Sequence, residues 1–420
     1  MEKSVGHWKA QHPLLFISLS LCLGYVLADY FEQFLITIDN KLAMGILVLS
    51  ILCIYLIHYS PLKFWIQGIL ILWILIIWGG ILFITMKSKN ILWIPYPRHF
   101  IINVRLWFIQ KIDMHLTDQE ASGFAKALLI GVKTDIDKNI IKAYTQLGII
   151  HIIAISGMHL DIIFKNLIYV TQHLPRKIIW QWIELIIVIV AVWSYTFIAF
   201  ASPSIVRASI FFSLFFLGSF FQQPKYTLNC IAAGILIILF FDTHSIYNIG
   251  LQLSYAAVIG IHLFYPLFYK MLPMDNPILN WMWSNLCITV SAQLTTLPIL
   301  LFHFQQTSTL IIISNFIMVP LSTILLYALI ILVILPNQVI IIIHLGQWLQ
   351  WSIKLLNRGV LYFHQNPIGA PILIQMSGYI VTLYFIGLLL VYLWLYYRQA
   401  KFLFYTLIIF SLGFFIKLFP

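Results

Sequence analysis

Charge is what this chain of 420 residues is short of: Asp, Glu, Lys and Arg together supply only 9% of it. A soluble domain carries about 25%, so there is too little polar surface to clothe a water-exposed globule. No long polar stretch is present either, which excludes a separate soluble catalytic head. The four cysteines, Cys22, Cys53, Cys230 and Cys287, each lie inside an apolar run, and none belongs to a CxxC pair. That excludes a disulfide framework and a cysteine-based zinc site. A GxxxxGK[ST] phosphate loop is missing, and with it an internal ATPase. The 13 histidines form neither HExxH nor HxH, so no recognisable hydrolytic metal site is left and no cofactor is implied.

What is present is apolar. Hydrophobic residues make up 62% of the chain and the mean hydropathy is +0.97. At about 20 apolar residues per span, this length holds roughly 10–12 transmembrane helices. The runs do not alternate as barrel strands do. The expected fold is therefore an all-α polytopic integral membrane protein, with some amphipathic and some broken helices. A net charge of +11 could signal nucleic acid in a soluble protein; in a membrane protein its plainer reading is positively charged cytoplasmic loops.

The chain reads as four stretches: N-terminal helices over 1–86, an amphipathic interfacial linker over 87–148, a transmembrane core over 149–335, and an amphipathic helix with further spans over 336–420. In the first, apolar runs at 14–28, 42–58 and 64–86 are spans, the first of them uncleaved. The acidic link Asp29, Glu32, Asp39 lies opposite Lys3, Lys9 and Lys63, which puts the N-terminus in the cytoplasm. In the second, Thr134-Asp-Ile-Asp137 is a helix start. Ile136, Ile140, Ala143, Tyr144 and Leu147 then share one face of a short helix that lies along the membrane or packs beneath a bundle, and Gly148 stops it. Later spans fall near 149–170, 178–201, 205–221, 228–241, 246–269, 279–302, 310–335, 377–397 and 402–418, with the amphipathic helix at 339–363. No internal repeat supports an inverted-repeat transporter.

Polar residues inside apolar spans are costly, so they mark either helix contacts or a pathway. Four places carry them. The first is His151-Ile-Ile-Ala-Ile-Ser156-Gly157-Met-His159-Leu-Asp161, where Asp161 and Lys165 have the favoured order for a helical ion pair. Ser156 and His159 share a helix face, but no third residue orients the histidine, which argues against an intramembrane protease. The second is Ser202-Pro203-Ser204, a helix break, with Arg207 in the turn beyond it, either snorkelling to headgroups or facing an aqueous cavity. The third and fourth are stripes: Asn248, Gln252 and Tyr255 with Ser254 beside them, and Asn285, Thr289, Gln293 and Thr296. Each alone reads as interhelical glue; together with the broken helix they point to a water-filled route, with Asn315 and Pro320 extending the wall. Further breaks are expected at Gly250, Pro298 and Pro320. The aromatics, 14 Trp and 21 Tyr among them, serve either interfacial belts or base-stacking platforms.

Four words in order resemble the ComEC-type competence proteins. They are Ala127-Leu-Leu-Ile-Gly131 with Tyr144-Thr-Gln-Leu-Gly148 through His159; Ser202-Pro-Ser-Ile-Val-Arg207-Ala208; Asn248-Ile-Gly250-Leu-Gln252-Leu-Ser254-Tyr-Ala256-Ala257; and Gln293-Leu-Thr-Thr-Leu-Pro298 on to Phe304, Ser308, Asn315 and Pro320. The resemblance spans about 122–335 and implies a bacterial inner-membrane channel that passes single-stranded DNA into the cytoplasm during natural transformation. It assigns His151, Ser156, Gly157, His159, Arg207, Gly250, Gln252, Ser254, Gln293, Thr296, Asn315 and Pro320 to the family's transmembrane core. The partners it implies are single-stranded DNA, the lipid bilayer, a DNA receptor outside, a separate nuclease and a cytoplasmic ATP-driven motor, with room for a homo-oligomer. Two features depart from it: 87–122 is about half the length that an OB-like barrel needs, and no HxHxDH motif marks a metallo-β-lactamase-like nuclease. Leu251 and Tyr255 stand where Phe is frequent. The rival readings, in order, are an ion-coupled small-solute transporter using Asp161, His159 and Arg207, a scaffold, and an enzyme built on Ser156.

Overall fold

The computed structural model describes residues 17–23, 26, 98–173, 175, 177–221, 227–366 and 369–418. The three early spans and the charges that orient the N-terminus lie almost wholly outside these residues. In chain order the helices are α1 (Arg98–His115), α2 (Gln119–Ile130), α3 (Lys138–Gln146), α4 (Ile150–Ile153), α5 (Gly157–Thr171), α6 (Ile178–Ile198), α7 (Pro203–Phe220) and α8 (Thr227–Phe241). A 3₁₀ turn, Thr243–Tyr247, leads into α9 (Ile249–Tyr269). Then come α10 (Pro277–Phe304), β1 (Gln306–Ser308), α11 (Ile311–Ile334), α12 (Ile340–Gln365), β2 (Pro371–Leu373), α13 (Gly378–Tyr397) and α14 (Ala400–Leu418).

Six of these, α6, α7, α9, α10, α11 and α13, are long and apolar enough to cross a membrane. The all-α polytopic membrane fold stands. One small exception was not legible: β1 and β2 pair antiparallel, Thr307 opposite Ile372, and tie the α10–α11 turn to the segment after α12. The expected span at 149–170 is broken, because the chain leaves helical geometry between Ile153 and Gly157. Its longer piece, α5, has 15 residues and so reaches only about 22 Å, short of a hydrocarbon core of about 30 Å.

The described residues fall into two compact units. One contains His173–Ile189 and Ser209–Leu251; within it Trp182 meets Phe220 edge-on, and α8 buries Leu228, Ile231, Ala232 and Leu239. The other contains Pro97–Gln172, Val190–Ala208 and Gln252–Pro420. Its core is built around α2, a helix too short to be stable alone and buried at every position from Ala121 to Ile130. Asp118 caps α2 by accepting from the Ala121 N–H at 3.1 Å. Leu325, Leu329 and Leu332 of α11 and Leu349, Ile353 and Val360 of α12 belong to the same core.

A buried cation in that core is fully paired. Lys126 contacts Asp113 at 2.8 Å and Asp135 at 3.0 Å. A second polar chain runs from Tyr144, which donates to Asn357, to Glu120, which accepts from the Asn357 amide at 2.8 Å. The short amphipathic helix matches α3: Asp137 caps it, and Ile136, Ile140, Ala143, Tyr144 and Leu147 are all buried. It packs against α12, whose Leu349, Ile353 and Val360 share its core. Gly148 ends it with φ +72°, a conformation glycine adopts freely.

Candidate functional site

The break between α4 and α5 is closed by a reciprocal cap. Ser156 is the N-cap of α5, and His159, three residues on, returns the bond: His159 Nδ1 accepts the Ser156 N–H at 3.2 Å. Ser156 Oγ lies 3.0 Å from the same nitrogen. A serine beside a histidine is thus accounted for as a helix start. The far ring nitrogen, Nε2, is enclosed and has no hydrogen-bond partner among the described residues, and His159 is 0% exposed. His151 is an exposed residue of α4 and an electrostatic neighbour of His159.

The same turn meets the start of α7. Pro203 stands first in that helix, where its missing N–H costs nothing, so this break falls where expected. Ser204 donates to the Ile155 carbonyl at 2.8 Å. Gly157 lies so near α7 that a Cβ there would be 3.4 Å from the Ala208 Cβ. Arg207, beside Ala208, is 7% exposed and is an electrostatic neighbour of Tyr255 on α9. The structure decides against headgroup snorkelling: the guanidinium is turned into the protein. Tyr255 is itself buried, and its hydroxyl has no hydrogen-bond partner among the described residues.

Asp161 and Lys165 pair at 2.6 Å, as their spacing suggested, but Lys165 is exposed, so the pair is not a deeply buried one. The first stripe loses a member. Asn248 precedes α9 and caps it, accepting from the Leu251 N–H at 3.1 Å. Gln252 bonds His303 of α10 at 3.0 Å, and Ser254 is half-buried.

The second stripe is more informative. Asn285, Thr289, Gln293 and Thr296 are half-buried, whereas the buried line of α10 is Cys287, Ser291, Thr295, Pro298 and Leu301. A shift of two residues on an α-helix is about 200°, so the stripe faces away from the packed side. Asn285, Thr289 and Thr296 also hydrogen-bond carbonyls one turn back on their own helix. Interhelical glue is supplied by the other line: Thr295 donates to the Ala256 carbonyl of α9 at 2.7 Å. Asn315 is buried in α11 and bonds the Ile311 carbonyl at 2.6 Å.

Three expected breaks are not breaks. Gly250 lies in the first turn of α9, and α10 and α11 run through Pro298 and Pro320. A proline frees the carbonyl four residues back, and at Pro298 that oxygen, on Leu294, accepts the Tyr384 hydroxyl of α13 at 3.0 Å. A neighbouring helix thus carries the chain past the proline. An apolar cleft of about 550 Å³ between α11 and α12, walled by Ile317, Leu321, Trp348 and Trp351, holds none of the expected site residues.

Spans of this length and composition, with polar residues gathered at helix crossings, define a multi-pass membrane protein. Residues 128–398 match the family described as Competence protein, so the chain belongs to that family. It is similar to "ComE operon protein 3" of Bacillus subtilis (strain 168), 27% identical over 208 residues, which is 50% of this chain and 26% of that protein. It is also similar to an "Uncharacterized protein" of Aquifex aeolicus (strain VF5), 26% identical over 162 residues, 38% of this chain and 37% of that one. The chain thus spans about a quarter and somewhat over a third of these two relatives. No solved structure matches.

Proposed function

We propose that the chain is the membrane-conducting part of a DNA-uptake system, a passive inner-membrane conduit for single-stranded DNA with its N-terminus in the cytoplasm. The observation that carries this reading is the polar stripe Asn285, Thr289, Gln293, Thr296, half-buried on the face of α10 opposite its packed line. Family membership supplies the cargo class.

A DNA strand carries one negative charge per nucleotide, and moving each into a negative cytoplasm costs about 2.3 kcal/mol per 100 mV. The sequence holds no nucleotide-binding loop, so the pull comes from an ATP-driven partner inside. A receptor outside delivers the strand and a separate nuclease removes its complement. Neutral hydrogen-bonders with sparse cations such as Arg207 suit a wall that must release as readily as it binds. In this reading the chain performs no chemistry of its own. Ser156 and His159 form a cap, and Asp161, which a proton-coupled carrier would need, is held by Lys165.

The test is single cysteines at 285, 289, 293 and 296 in a cysteine-free background, exposed to a membrane-impermeant maleimide. The conduit reading expects labelling at these four, none at 291, and slower labelling while DNA is being taken up. Absence of labelling along the stripe would overturn it.

A further inference from the structure

We propose that the cleft between α11 and α12 is a phospholipid site, holding one acyl chain of an anionic lipid whose phosphate is bound by Arg358. The site stands whether or not the chain conducts DNA. α12 buries Leu349, Ile353 and Val360 in the core and lines the cleft with Trp348, Trp351 and Leu355, all exposed. Across from them α11 leaves Ile317, Leu321 and Ile324 exposed. Apart from Ser314 and Ser352 the walls are hydrocarbon and indole, and Ser314 already bonds the Leu147 and Leu310 carbonyls.

Size decides what fits. From Trp348 to Phe363 α12 rises about 22 Å, so the cleft of about 550 Å³ has a cross-section of about 25 Å². An α-helix, about 10 Å across, needs roughly 80 Å², too much for a span of a partner or of a second copy. A polymethylene chain, with contacts at about 4 Å, needs on the order of 20 Å². Length agrees with this. Arg358 lies about 15 Å along α12 from Trp348, and half of a hydrocarbon core is also about 15 Å.

Charge decides which lipid. Arg358 is exposed, one residue before Gly359 and one turn beyond Leu355, so it stands at the rim of the cleft. Among the described residues no carboxylate pairs with it, whereas Lys354, one turn earlier, is held by Asp118 at 2.7 Å. Asp275 is the last acidic residue of the sequence; the charged side chains beyond it are Lys354, Arg358, Arg398, Lys401 and Lys417. A guanidinium grips a phosphate through two parallel hydrogen bonds, and its long stem reaches from apolar surface to the headgroups. With no acid on α11 or α12 to receive a headgroup ammonium, a lipid of net negative charge is preferred.

Two substitutions separate tail from headgroup. A Cβ at Gly359 would meet nothing within 4 Å, so Gly359→Leu places its side chain in the open cleft. Arg358→Gln removes the charge and leaves the cleft empty of added atoms. The full chain is purified in mild detergent and given equimolar phosphatidylglycerol and phosphatidylcholine. Native mass spectrometry reads the lipid retained, and the thermal midpoint in lipid-free detergent reads the fold.

Wild type should retain phosphatidylglycerol over phosphatidylcholine by about fivefold or more. In Arg358→Gln the preference should fall to within about twofold of parity, and Gly359→Leu should lose the retained lipid at an undiminished midpoint. No preference in wild type, or an unchanged one in Arg358→Gln, would overturn the proposal, as would full retention in Gly359→Leu. A dimer that Gly359→Leu dissociates would give the cleft to a second copy and overturn it too. Should Gly359→Leu lower the midpoint, Arg358→Gln, at an exposed position, decides alone.

Discussion

The Tyr384 hydroxyl donates at 3.0 Å to the Leu294 carbonyl, the oxygen that Pro298 leaves without a partner in its own helix. Removing that hydroxyl strands a carbonyl in an apolar setting. Tyr384→Phe should cost about 1–3 kcal/mol, read as a lower thermal midpoint of the purified protein. In a Pro298→Ala background the backbone supplies its own donor, so the same substitution should cost much less. Equal costs in both backgrounds would show that the two residues do not act together.

Gly260 allows α9 and α10 to approach. A Cβ there would run into the Thr295 hydroxyl and come within 2.5 Å of the Ser291 carbonyl. Gly260→Ala should destabilise the hairpin by about 1–3 kcal/mol, and Gly260→Val by more. The check is the denaturation midpoint in detergent. A neutral alanine would mean the helices separate freely.

The supports of α2 are acid-sensitive. A hydrogen bond from Lys354 holds the Asp118 carboxyl below its ordinary value, and one from Lys126 does the same for Asp135. Carboxyls lowered in the folded state stabilise it above their unfolded pKa, about 3.9, and that support is lost as pH falls through the folded values. Hydrogen exchange at α2 should therefore be slow at neutral pH and accelerate below about pH 4. Asp118→Asn and Asp135→Asn should each flatten this dependence by raising neutral-pH exchange.

Arg207 is the buried cation nearest the α5 turn along α7, and the conduit reading gives it a phosphate contact. Arg207→Ala should lower DNA uptake about tenfold or more with its membrane level unchanged. Unchanged uptake would remove Arg207 from the pathway.

Local signals were legible where a single segment decides its own structure. The period of α3, its Asp137 cap, Gly148, and the Asp161–Lys165 pair all appear as the spacing implies. Pro203 breaks the chain because it follows a non-helical turn. Pro298 does not, because a tyrosine 86 positions further along meets the freed carbonyl, and no local rule contains that partner. The α10 stripe shows the same limit. Its period is plain in the sequence, but which side packs depends on Gly260 of another helix. The β1–β2 pair is three residues on each side, too short for alternation to be seen. The orphan Nε2 of His159 became visible only once its other nitrogen had a partner.

The most direct measurement is uptake of labelled DNA in a strain that lacks this chain and holds no other competence-family protein, with label outside and inside the inner membrane counted separately. The conduit account predicts label that accumulates outside, does not reach the cytoplasm, and is restored to it by the wild-type chain. Normal arrival of label in the cytoplasm would contradict it.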